Sequence, residues 1–102
     1  MAKLSLTAAP TFTATVQIPI PGKRPAPVEF KFKHRNKDEL EVFFRDFSGT
    51  DVELVMEIVS GWDLDDPFSA ETVAQLLNSY SGAGKAISDK YLSEMIQARV
   101  GN

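Results

Sequence analysis

There is no cysteine among the 102 residues, which removes a disulfide frame, a thiol nucleophile and a thiolate metal site. Such a chain can work in a reducing cytoplasm. Histidine occurs once, at His34, and tryptophan once, at Trp62. No apolar run approaches the roughly 18 residues of a membrane span. The opening MAKLSLTAAPTF holds no continuous hydrophobic stretch, so a signal peptide is not expected either. A basic excess is missing too: 11 Lys and Arg against 14 Asp and Glu leave a net charge of −3, which argues against a broad nucleic-acid-binding face. What is present is an apolar content of 43%, enough for one small domain with a modest core. Self-association would help to stabilise a chain of this size.

Residues 1–10 lack periodicity and read as a flexible arm ending at Pro10. From Thr11 the chain alternates. Phe12, Ala14, Val16, Ile18 and Ile20 share one parity and threonines and Gln17 the other, the pattern of a half-buried strand. Prolines 19, 21, 25 and 27 interrupt it by removing backbone donors. Alternation resumes with Val28, Phe30 and Phe32 inward. An antiparallel hairpin over 11–34 with a proline-rich loop is expected. A two-stranded hairpin is marginal alone, so its apolar face must lie on helices or on another subunit.

After His34 the period becomes helical. Asn36 with Glu39 forms a capping-box pattern ahead of the stripe Leu40, Phe43, Phe44 and Phe47. Thr50 with Glu53 repeats the cap, ahead of Val52, Val55, Met56 and Val59, and Gly61 closes this second helix. Ser69 caps a third, with Val73, Leu76, Leu77 and Tyr80. A bend at SGAG precedes a fourth, from about Lys85 to Arg99, presenting Ile87, Tyr91, Leu92, Met95 and Ile96. The expected fold is α+β and mainly α: a single domain over 1–102, with an N-terminal β-hairpin and about four short amphipathic helices in 36–99.

Chemistry-bearing motifs are few. Asp63, Asp65 and Asp66 crowd beside Trp62 in SGWDLDDPFSAE. A calcium loop needs alternating oxygen ligands, a central glycine and a terminal bidentate Glu. Here Pro67 and Phe68 occupy the loop and no glycine follows, so helix capping and contact with a basic partner are the expected roles. SGAGK ends like a phosphate-binding loop but lacks the first glycine, the hydroxyl after the lysine and the preceding strand. His34 sits between Lys33 and Arg35 with no nucleophile partner indicated. KFKHRNK, residues 31–37, is the most basic stretch and reads as a solvated face or a contact for an acidic partner. No catalytic, cofactor-binding or metal site is assigned and no enzymatic activity is expected.

Several segments, taken in order, resemble the tail assembly chaperones of long-tailed bacteriophages of the siphovirus and lambdoid type. They are K-L-x-L-x-x-x-P-T-F (Lys3 to Phe12), I-P-I-P-G (Ile18 to Gly22) and V-E-F-K-F-K-H-R (Val28 to Arg35). G-W-D-L-D-x-P-F (Gly61 to Phe68), L-L-x-x-Y-x-G-A (Leu76 to Ala83), A-I-x-x-x-Y (Ala86 to Tyr91) and A-R-x-G-N (Ala98 to Asn102) follow. Ser81 departs from the proline of that pattern. The resemblance implies a non-enzymatic protein of the infected bacterial cytoplasm, absent from the mature virion. It also implies binding to the helical tape measure protein and recruitment of the major tail protein. The family often makes a longer product by programmed frameshifting, for which this chain would be the shorter counterpart and the longer product the candidate contact to the tail protein.

A homo-oligomer coating a helical client would use amphipathic faces left over from a small core. Phe43, Phe44, Phe47, Trp62, Phe68, Tyr80 and Tyr91 are the candidate framework of core and protein interface, the three phenylalanines being expected mainly in the core. The alternative is a small cytoplasmic adaptor or regulator that binds a partner or nucleic acid through residues 31–37. A hydrolase using the three aspartates with a metal ion is the remaining reading.

Overall fold

The computed structural model describes residues 4–96. Strands β1 (Thr11–Ile18) and β2 (Ala26–Lys33) form the expected antiparallel hairpin, in register from Thr11 opposite Lys33 to Ile18 opposite Ala26. β1 stops before Pro19, so Ile20 belongs to the loop. There the Lys23 N–H donates to the Ile20 carbonyl at 3.0 Å, with Pro21 and Gly22 between. Gly22 has φ of 76°, and proline followed by a glycine at positive φ is the signature of a type II turn.

Contrary to the expected start at Val28, Pro27 lies inside β2, and the ladder explains why it fits. Its bonds alternate in direction: the His34 N–H donates to Pro10, whereas the Asp63 N–H donates to Glu29. With the register above, even residues of β2 therefore face β1 and odd ones face away. The donor that Pro27 lacks would have pointed outward, beyond the end of the neighbouring strand.

That neighbouring strand corrects the expected topology. Helix α2 spans Asp51–Ile58 and does not run on to Gly61; Val59–Trp62 forms β3, antiparallel to β2, in a sheet ordered β1-β2-β3. Val59 is buried as a strand residue, and its stripe position would place it inward on a helix too, so the pattern did not separate the two. As a strand it extends the ladder along the second edge of β2. The register shifts between Lys31 and Phe32, leaving Ser60 as a bulge whose hydroxyl donates to the Lys31 carbonyl at 3.3 Å.

The other helices are α1 (Lys37–Asp46), α3 (Ala70–Ser79) and α4 (Ala83–Met95). Asn36, Thr50 and Ser69 each cap a helix by accepting from the backbone N–H three residues on, with the reciprocal bond present. α4 begins two residues before the expected Lys85, with Gly84 inside its first turn; its expected end at Arg99 lies outside the described residues.

One face of the sheet, carrying Ala14, Val16, Ile18, Val28, Phe30 and Phe32, is buried. It joins Val55 and Ile58 of α2, Val73 and Leu77 of α3, and Ala83, Ile87 and Tyr91 of α4 in one core. The hairpin thus lies on helices of its own subunit. Phe12, Phe32 and Tyr91 form an aromatic cluster, with ring centroids 5.4–6.2 Å apart. Truncating a fully buried ring such as Phe30 to alanine would cost about 3–5 kcal/mol. The fold is α+β, as the sequence pattern indicates.

Candidate protein-binding surfaces

The aspartate-rich junction is built as a corner. Trp62 ends β3, and its indole Nε1–H donates to the Asp66 carbonyl at 2.7 Å. Phe68 meets the indole edge-on, with centroids 5.1 Å apart and planes at 88°. Asp63 Oδ1 accepts from the Glu29 N–H at 3.0 Å while its own N–H donates to the Glu29 carbonyl, which closes the end of the β2–β3 ladder. The Ser69 side chain, and not that of Asp66, caps α3. Asp63 therefore acts as a backbone clasp. Among the described residues no group of three or more His, Asp or Glu side chains is arranged to hold a metal ion.

The basic segment is partly consumed inside the fold. Lys33 Nζ donates to the Met56 carbonyl at 3.0 Å, placing a cation on the carbonyl end of α2, whose own last turn has no basic residue. Arg35 donates to the Tyr91 hydroxyl and to Glu57 Oε1, both at 3.2 Å, and its guanidinium lies 4.1 Å from the centroid of the Phe43 ring. The Tyr91 hydroxyl in turn donates to the Lys33 carbonyl at 2.8 Å, so the buried phenol is satisfied on both sides. Arg35 was read from sequence as surface charge; here it joins α1, α2 and α4. Lys31 and Lys37 stand on the exposed surface.

Helix α1 corrects the expectation that Phe43, Phe44 and Phe47 are mainly core. Of its residues only Leu40 is buried; Phe43 and Phe47 are half-buried and Phe44 is 44% exposed. Phe43 packs against the core and on the other two rings, 5.2 Å from Phe44 and 5.3 Å from Phe47. Val42 adds a further exposed apolar side chain. The helix stands at the margin of the domain and meets the core only through Leu40 and the partly buried Phe43. Its amphipathic spacing is real, but the sheet already has its covering from α2, α3 and α4.

A second apolar surface is concave. A groove of about 350 Å³ runs between the closed end of the hairpin, the Trp62 corner and α3. Ile18, Ile20 and Val28 form one wall, and Leu76 of α3 with Tyr80 just beyond its end the other. Trp62 and Leu64 join them, while Asp66, Gln75 and Ser79 add polar groups. Trp62 and Tyr80 were among the aromatic candidates; Ile20 and Leu64 were not. Ile20 was assigned to the strand, and Leu64 falls between two aspartates where no periodicity marks it. Phe68 braces this surface through Trp62. Tyr91 belongs to the core at 1% exposure.

No helix among the described residues is long and apolar enough to cross a membrane. A family model described as "Phage tail assembly chaperone" matches residues 1–102, the whole of the chain. No curated protein and no solved structure matches it.

Proposed function

The chain belongs to the phage tail assembly chaperone family, and from that premise we propose that it holds the tape measure protein soluble by receiving apolar side chains of that helical client in the groove between the hairpin and α3. The protein is a chaperone and not an enzyme. The observation that carries the reading is the groove itself: an open, largely apolar concavity whose walls come from rigid elements and whose aromatic corner is fixed by the Trp62–Asp66 bond. A groove of that form suits one stripe of an amphipathic helix, read at helical spacing. Asp66 among its lining residues, with exposed Asp65 alongside, favours a client stripe flanked by basic residues.

The exposed side of α1, with Val42 and Phe44, supplies a second apolar contact for a tail protein. Several copies along one client would add avidity without any new kind of contact. In this reading the protein acts in the host bacterial cytoplasm, self-associates, and leaves before the virion is complete. It helps to recruit the major tail protein, with a longer frameshift product as the candidate for that contact.

Co-expression with the tape measure protein tests the proposal. The wild-type chain should raise the soluble fraction of the client. Leu76→Glu, which places a charge in a half-buried groove wall, should abolish that effect while the variant still melts cooperatively. A wild-type chain that leaves the client insoluble would contradict the reading.

A further inference from the structure

We propose that β1 is a pairing edge for a second copy of this chain, the two β1 strands joining antiparallel about a two-fold axis at Ala14. This rests on the reading that the chaperone self-associates, and assigns that association to one surface. The sheet order leaves β1 at an edge. Since the His34 N–H donates to Pro10 and the register runs from Thr11 opposite Lys33, the even residues of β1 bond to β2. The N–H and C=O groups of Thr11, Thr13, Thr15 and Gln17 therefore point away from the sheet, and no other element among the described residues pairs with them.

Edge strands of monomeric proteins are normally blunted by charge, proline, a bulge or short length. β3 is blunted: it has four residues and a bulge. β1 has none of these devices. It runs eight residues without a bulge, and no charged residue occurs anywhere from Leu4 to Gly22 in a chain that is 25% charged. Thr13, Thr15 and Gln17 are exposed on the solvent face of the sheet. Opposed copies of such a strand bring no like charges together.

The prolines select the register. With Ala14 on the axis, Thr13 lies opposite the second copy's Thr15, and Thr11 opposite its Gln17. Every outward donor and acceptor from Thr11 to Gln17 then finds a partner, and threonine pairs with threonine, a favourable cross-strand combination. Moving the axis to Thr15 sets Thr11 against Pro19, which has no N–H to give. The parity of the ladder forbids a one-residue slip.

Paired charge variants test both the surface and the register, read by sedimentation velocity over a concentration series with melting curves as the fold control. Wild type should associate reversibly. Thr13→Lys with Thr15→Lys puts lysines opposite one another twice and should raise the dissociation constant about tenfold. Thr13→Glu with Thr15→Lys puts opposite charges face to face across the axis, sets each beside its opposite on β2 (Lys31 and Glu29), and should keep or tighten the association. If both double variants associate as wild type does, the β1 edge is overturned while self-association stands. A strictly monomeric wild type overturns the edge and the self-association reading together, and leaves groove binding to be judged by client solubility.

Discussion

The guanidinium of Arg35 lies 4.1 Å from the centre of the Phe43 ring while two of its nitrogens reach Glu57 and Tyr91. One side chain in the link between β2 and α1 thereby joins a marginal helix to the packed body of the domain. Its own exposure is 16%, low for an arginine, so the cation–π contact works partly out of water. Arg35→Ala should lower stability by about 1–2 kcal/mol. It should also raise amide hydrogen exchange across Lys37–Asp46 more than elsewhere. Uniform exchange in the variant would show that α1 is held by other means.

The three capping boxes should not be equal in their effect. Thr50→Ala removes a cap from α2, whose Val55 and Ile58 are in the core, and should cost about 1 kcal/mol of global stability, or roughly 4–8 °C in Tm. Asn36→Ala removes the same kind of bond from α1, which buries only Leu40. Its cost should show as local fraying by hydrogen exchange with little change in Tm. Equal Tm losses would mean that α1 folds as part of the core.

Calcium, magnesium or manganese should give no saturable heat in calorimetric titration at millimolar concentration. Asp63 already accepts the Glu29 N–H, and the corner is closed by backbone and aromatic contacts that need no ion. Saturable binding lost on Asp65→Asn would return the aspartates to chemistry.

Much of this organisation could be read from residue order alone. Alternation located both hairpin strands, and Asn36, Thr50 and Ser69 marked three helix starts because a cap is a local event between residues three apart. Three features were not legible, for different reasons. Val59 satisfies a helical stripe and a buried strand equally, and the choice is made by the unpaired edge of β2, far away in sequence. The apolar stripe of α1 resembles those of α2 and α3, but a sheet face that three other helices already cover leaves it at the margin. The groove escaped because Ile20, Leu64 and Leu76 lie on three separate segments that only the folded chain brings together.

Client binding should weaken only modestly with salt between about 50 and 200 mM, since apolar burial is not screened and only the exposed Asp65 and Asp66 contacts are. Charge reversal at Lys31 should likewise change little. Steep weakening with salt, together with loss of binding on Lys31→Glu, would favour the reading in which residues 31–37 hold an acidic partner or nucleic acid.

The most direct measurement is site-specific photocrosslinking in cells that make both proteins. A photoreactive residue at Gln75, among the groove-lining residues, should crosslink the tape measure protein; one at Lys31, on the solvent face of the sheet, should not. Crosslinking at Lys31 with none at Gln75, while the two proteins still copurify, would contradict the groove as the client site.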